Sequence, residues 1–364
     1  MLNTLPIVSA GRIPRGLIKV NGSPITGWEE FETEENEYSA PDTFSVKFAT
    51  FALPDAMNAA WWAAQGDADV EIFAGFPSDP DAFTASDLET IFAGKVDDVT
   101  FDWTTSTMTV KGRDLTAPLI DHKTSEKYVN LTSSQIAGKL AAKYGLTPVI
   151  TSTSTMVGRF YQIDHVDLKD DRTEWDLLTW LAREEGFVTY VRGKELHFEP
   201  RPDGKGNAYV VQWVAPGAEG GAFSGNFTSF QNSRSLTVAK DIEVTVRSWN
   251  SKSRRAFIKT SKRKGAAGGV QKYSYTIPNL SQDEAQKKAD QFRDEISKHE
   301  MKLSFEGPAD NTLHINSVIQ QQGTGTNFDQ TYFPESITRT MSLEEGYVWS
   351  VQAKNHATES QATI

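Results

Sequence analysis

Hydrophobic and polar residues alternate with a period of two over most of the chain, and four windows break that pattern with helical spacing. In Thr43 to Ala49, Phe44, Val46 and Phe48 alternate with polar neighbours, the signature of a strand with one buried face. Strand-sized pieces also cover 16–20, 27–33, 70–74, 90–92, 95–101 and 107–111, with the turn Asp79-Pro80-Asp81 among them. Five or more short strands at this spacing predict a small barrel or sandwich. After Pro200 strands are expected at 208–214, 236–239, 242–249, 301–305, 311–319, 330–340 and 346–353. The clearest is 242–249, where Ile242, Val244 and Val246 alternate with Glu243, Thr245 and Arg247.

The helical windows carry their own start signals. Thr132 as N-cap, Gln135 at N3 and the flanking Leu131 and Ile136 form a capping box with a hydrophobic staple, and Gly145 supplies the left-handed stop. A second helix is expected with Asp171 as cap, Glu174 at N3, a stripe of Trp175, Leu178, Leu181 and Ala182, and Gly186 at its end. It leads into a hairpin, 187–191 and 195–199, turning at Gly193. Ser281 and Glu284 open a third helix whose Ala285, Ala289, Phe292 and Ile296 share one face. Pro54 to Ala64 reads as a shorter helix carrying Trp61 and Trp62. These tryptophans read as core or subunit-interface positions rather than a sugar platform, since no polar cluster accompanies them.

Composition narrows the function classes. The chain has 364 residues, enough for two or three domains, and its 38% hydrophobic and 23% charged residues are ordinary for a globular protein. A formal charge of −11 argues against nucleic-acid binding by the whole chain. There is no cysteine, hence no disulfide scaffold, thiolate nucleophile or Cys-ligated metal. No apolar run approaches the roughly 20 residues of a membrane helix, and the N-terminus lacks a secretory layout, so assembly in a cytoplasm is expected. Two charge runs stand out. Glu29, Glu30, Glu32, Glu34, Glu35 and Glu37 read as a solvated strand edge and turn. Lys252, Arg254, Arg255, Lys259, Lys262, Arg263 and Lys264, followed by Gly265 to Gly269, read either as a charged hairpin with a flexible tip or as a patch for an acidic partner or transient nucleic acid.

Catalytic and metal signals are absent from the spacing. The histidines at 122, 165, 197, 299, 314 and 356 show no metal-site spacing; His165 is the best single candidate, and a polar loop before a helix explains it better. Gly204-Lys205-Gly206 and Gly323 to Thr326 lack the strand-to-helix context of a phosphate loop, and no Gly-x-Ser-x-Gly elbow occurs. No catalytic, metal or cofactor-binding residue is therefore assigned.

The order of features resembles the phage baseplate hub family, which includes late control D proteins and the hubs of Mu-like and T4-like contractile tails. The residues that carry the resemblance are Val110 to Asp114 leading to Leu119-Ile120-Asp121, the 130–146 helix ending Tyr144-Gly145-Leu146, and the 171–187 helix. The hairpin ending Glu195 to Phe198, Leu280-Ser281 with Glu284-Ala285, and Tyr332 to Ala353 follow in the same order. The resemblance implies an α+β, mainly β fold: two tube-like antiparallel β-barrel domains, an α/β insertion module, and a helix packed on the second barrel. Its divisions are a first barrel over 1–118, the insertion of two helices and a hairpin over 119–202, a loop-rich connection over 203–235, and a second barrel over 236–364 with helix 281–300. It further implies a structural, non-enzymatic virion protein of the tail baseplate without cofactor. Three subunits would form a homotrimeric ring joining a sixfold tail tube to a threefold spike. Expected partners are the tail spike protein, the tail tube or tube-initiator protein, other baseplate proteins and the tape measure, with no membrane insertion and no specific nucleic-acid binding. Candidate interface residues are Trp61, Trp62, Arg254, Arg255, Lys262 and Arg263. Two rival readings stay open: the hub-like base of a type VI secretion or pyocin spike, and a cell-wall hydrolase or carbohydrate-binding tail protein suggested by the nine tryptophans.

Overall fold

Alternation becomes sheet in the computed structural model, which describes residues 13–355 apart from 39, 124–125, 127, 129, 155, 157–172, 201–207, 218–221, 237–240, 251–254, 264–268, 279 and 298–300. The first part supplies β1 (Arg15–Val20), β2 (Ser23–Ile25), β3 (Trp28–Asn36), β4 (Thr43–Ala49), the short helix α1 (Ala59–Ala64), β5 (Asp69–Gly75), β6 (Glu89–Asp102) and β7 (Thr107–Asp114). Expected strands 90–92 and 95–101 are one strand, β6, whose register shifts opposite both neighbours. Such bulges let a long strand coil around a core without ending.

A module follows: α2 (Ala117–Asp121), α3 (Ser133–Lys143), β8 (Thr147–Ile150), α4 (Glu174–Glu185), β9 (Phe187–Arg192) and β10 (Glu195–Pro200). The cap of α3 is as expected, with Thr132 N–H donating to Gln135 Oε1 at 2.9 Å and Gln135 N–H to Thr132 Oγ1 at 3.3 Å. The cap of α4 is corrected from Asp171, which lies outside the described residues, to Thr173, paired with Asp176. The frames Asp171 to Glu174 and Thr173 to Asp176 both satisfy the same local pattern. Tertiary contact decides, because the Glu174 carboxylate is fully buried against Lys143 Nζ (2.7 Å) and the Tyr144 hydroxyl (2.5 Å) of α3. β8 pairs parallel with β10, and Ile136, Leu140, Leu178, Leu181, Leu196 and Phe198 form the module's own core.

The rest of the chain supplies β11 (Ala208–Val214), β12 (Ser224–Gly225), β13 (Ser229–Arg234), β14 (Asp241–Asn250), β15 (Arg255–Arg263), β16 (Val270–Thr276), α5 (Gln282–Ser297), β17 (Met301–Pro308), β18 (Val318–Gln322), β19 (Thr331–Ser342) and β20 (Gly346–Asn355). Segment 203–235, expected as a loop-rich connection with a strand at 208–214, holds that strand as β11 and two more: β11 pairs with β18, β12 with β11, and β13 with β17. The stretch 311–317, expected as strand, forms turns whose polar groups bond elsewhere: Asn311 Nδ2 donates to Ala74 O and Ile315 N to Glu35 Oε2. β15, β14 and β16 form a separate sheet. α5 covers it through Ala285 and Ala289 against Val246, and Ser261 Oγ donates to Asp290 Oδ1 at 2.5 Å.

The two halves of the chain join in one 14-stranded sheet, in which β2, β1, β5, β6, β7, β4, β3, β19, β20, β17 and β13 lie side by side. The junction is the antiparallel pair β3 and β19, running from Ser336 opposite Asn36 to Ser342 opposite Glu30. A single apolar core spans both halves, including Phe31, Phe44, Phe48 and Met108 from one and Phe305, Tyr332, Ile337 and Trp349 from the other. β7 ends where α2 begins, and β13 and β17, which flank the satellite sheet in sequence, meet as Arg234 opposite Met301. Both insertions thus leave from the same end of the strands, and the opposite end carries turns and the β4-to-β5 connection with α1.

Candidate interaction surfaces

The acidic run expected as a solvated edge is corrected by β3's central position between β4 and β19. Its side chains alternate, and the inward parity takes Glu35 into the interior. There Arg339 Nη1 donates to Glu35 Oε1 at 2.6 Å, Arg339 Nη2 to Leu313 O at 2.5 Å, and His314 Nδ1 lies 3.4 Å from Glu35 Oε1. Burial alone would push the Glu35 carboxyl up, but the Arg339 charge, the His314 hydrogen bond, and the charges of His314 and Arg192 together hold it well below the usual range. Arg339 is fully buried; burial opposes its charge, and the charge and hydrogen bond of Glu35, with Tyr347 and Asp310, together more than restore it. Arg339 was missed in the sequence, although it sits at the same parity as the inward Ile337 and Met341, and an inward cation in a strand demands an anion.

The insertion module reaches this junction. Arg192, at the end of β9, donates to Asn316 Oδ1 at 3.3 Å, and the rings of Tyr190 and Tyr38 lie 5.3 Å apart. Lys354 of β20 bonds Glu37 and lies 3.3 Å from Glu335. The arrangement locks three parts of the chain in one register.

A carboxyl pair sits next to it. Asp114 at the end of β7 accepts from the backbone N–H (3.0 Å) and hydroxyl of Thr116 through Oδ1, and its own N–H donates to Asp42 O. Burial pushes the Asp114 carboxyl up to about 7, and burial with the neighbouring Asp114 and Glu35 charges pushes Asp42 up as well. A raised folded-state value means the folded chain holds the proton more tightly than the unfolded one. The stability it brings is complete below about pH 4 and is lost as pH rises to about 7. Asp114→Asn keeps the acceptor for Thr116 and removes the charge. The variant is expected to match the wild type at pH 4 and to exceed it by at least about 1 kcal/mol at pH 8 in urea unfolding; equal stability at pH 8 refutes the ionisation.

The residues singled out from the sequence do not converge. Trp62 is 2% exposed, packed in the large core and edge-on to the half-buried Trp61 at 5.0 Å. Arg254 and His165 lie outside the described residues. Lys262 projects from the satellite sheet to Glu243 at 3.0 Å, Arg255 is exposed at the start of β15, and Arg263 is buried at 3% on the inward parity with Ser261. The described part of the basic run is therefore split between the two faces of β15. Among the described residues no group of three or more His, Asp or Glu side chains is placed to hold a metal ion, and no helix is long and apolar enough to cross a membrane.

The fold is shared with tail proteins of known structure. The tail protein from Neisseria meningitidis MC58 matches with a TM-score of 0.69 at 14% identity, over 94% of this chain and 97% of that one. The 43 kDa tail protein of prophage MuSo2 from Shewanella oneidensis matches with 0.67 at 14% identity, over 93% and 98%. The Escherichia coli c3393 protein, a type VI secretion component with structural similarity to the T4 tail proteins gp27 and gp5, matches with 0.54 at 12% identity, over 95% and 78%. No curated protein matches by sequence. Residues 67–342 match the family model described as the Alg8 N-terminal domain. That match spans more than half of the chain, and the chain belongs to the Alg8 N-terminal domain family.

Proposed function

We propose that the chain is a structural hub protein of a phage-type tail baseplate, acting without catalysis. In this reading three copies close into a ring that presents two sheet-built halves per subunit, joining a sixfold tail tube to a threefold spike. The observation that carries it is the β3 and β19 junction. It fuses two seven-strand contributions into one sheet over one core, in a fold shared with two tail proteins over more than nine-tenths of this chain. Halves joined in register suit a ring that transmits load through large interfaces, and a closed ring covers strand edges that would otherwise stay open. The spike, the tube or its initiator, other baseplate proteins and the tape measure are its proposed partners. Trp61, Arg255 and Lys262 are proposed contact positions among them.

The likeness to the E. coli c3393 protein favours, as a second reading, the hub-like base of a type VI secretion or pyocin spike, with the same ring and a different payload. Light scattering together with electron microscopy tests both. The expected particle has three times the 40.4 kDa chain mass, threefold symmetry and a wide central channel. A monomer that stays monomeric when mixed with spike and tube proteins of the same tail overturns the hub.

A further inference from the structure

The end of the large sheet that carries no insertion exposes three large apolar side chains on three different turns. Phe51 is 85% exposed, Trp103 70% and Leu343 88%. Register places them together. Ser342 lies opposite Glu30, Trp28 opposite Phe48, Ala49 opposite Thr107, and Thr107 opposite Asp102. The connections after β19, β4 and β6 therefore emerge at one end of the consecutive strands β19, β3, β4, β7 and β6.

These tips are held in place. Thr50 donates to Ser106 O through both its N–H and its hydroxyl at 2.9 Å, tying the Phe51 turn to the Trp103 turn. Trp103 stacks on Phe101 at 5.1 Å with only 5° between the planes. Glu345 N–H donates to Ser342 Oγ at 3.1 Å, closing the Leu343 turn. Fixed aromatic and aliphatic tips lose little freedom on binding, which is what makes an anchor effective.

Charge narrows the occupant. Segments 49–58, 102–107 and 342–346 contain no lysine or arginine, whereas Glu30, Asp102, Glu344 and Glu345 are exposed around the apolar tips. Lys47, the nearest cation on β4, is occupied by Glu29 at 3.3 Å. A second copy presenting the same rim would meet like charge, and so would an anionic lipid surface.

We propose that this bare rim is the axial docking face for a ring-forming tail-tube protein whose facing surface offers apolar sockets bordered by lysine and arginine. The assignment rests on the hub reading and adds to it which end faces the tube, by which residues, and against what chemistry. The insertion-bearing end is left for the spike side.

The test uses the purified full chain and, as probe, the tail-tube protein of the same tail, with binding followed by interferometry at two salt concentrations. Phe51→Ser, Trp103→Ser and Leu343→Ser combined are expected to weaken binding at least about tenfold, with oligomeric state by light scattering and thermal midpoint unchanged. Glu344→Lys with Glu345→Lys is expected to weaken binding and flatten its salt dependence. Three results overturn the rim: wild-type binding by the triple variant, a trimeric wild type that does not bind the tube protein, or a triple variant that loses trimers instead. A wild type that forms no ring yet binds the tube protein through these residues sinks the hub reading and leaves the rim standing.

Discussion

Arg339→Ala is expected to destabilise the folded chain by about 4 kcal/mol, measured by urea unfolding at pH 7. The guanidinium is fully buried and holds the Glu35 carboxylate at 2.6 Å and the Leu313 carbonyl at 2.5 Å. Truncation leaves a buried carboxylate with the Ile315 N–H, His314 and the charge of Arg192 but without its ion-pair partner, and it opens a cavity on the seam between the two halves. The penalty comes from the orphaned charge more than from a lost attraction, so the double variant Glu35→Gln with Arg339→Met is expected to recover most of it. If the single and double variants lose the same stability, the pair is not the source. The folded-state Glu35 carboxyl lies below its ordinary value. Its contribution is therefore complete above about pH 5 and is lost as pH falls, and the gap between wild type and Arg339→Ala should narrow in acid.

Gly112→Ala is expected to cost about 3 kcal/mol or to prevent folding. A Cβ at this position would stand 1.9 Å from Lys95 O and 2.7 Å from the Phe44 ring. The obstacle is backbone, the Lys95 carbonyl of β6, which lies just before the bulge between Val96 and Asp98 opposite Gly112 of β7. Gly94 shows the same crowding from the other strand, with 2.2 Å to Arg113 O. Gly138, in α3, is the control: the nearest atom to its Cβ would be Ile150 Cδ1 at 3.9 Å, so Gly138→Ala is expected to stabilise by about 0.5–1 kcal/mol. Circular dichroism melts of the two variants should move in opposite directions. A melt of Gly112→Ala at the wild-type midpoint would show that the two strands separate without cost.

The resemblance to hub proteins drew on Val110 to Asp114 as a string of residues, and the structure gives that string its physical content. Gly112 admits the bulge and Asp114 caps the turn into the module. Arg113 clamps Asp97 at 2.6 Å and Asp121 at 3.1 Å, so the first sheet and the module start are tied by one side chain. None of these roles shows in the order of residue types, since each depends on what the opposite strand brings.

Sequence by itself determined the local elements: the period-two strands, the Thr132 cap, the Gly145, Gly186 and Gly193 turns, and the Ser281 capping box, which closes with Ser281 N–H on Glu284 Oε2 at 2.6 Å. These rest on interactions within a few residues, where propensity and side-chain reach are enough. It left the frame of α4 undecided, because two capping patterns overlap and a contact from α3 chooses between them. Tertiary structure alone decided that β3 lies inside the sheet, that β14 to β16 leave it, and that Phe51, Trp103 and Leu343 crown one end. Periodicity says which face of a strand is buried but not which strand lies beside it. Pairing residue 36 with residue 336 is a choice among all open edges, made by the closing core and by the fit of Glu35 to Arg339.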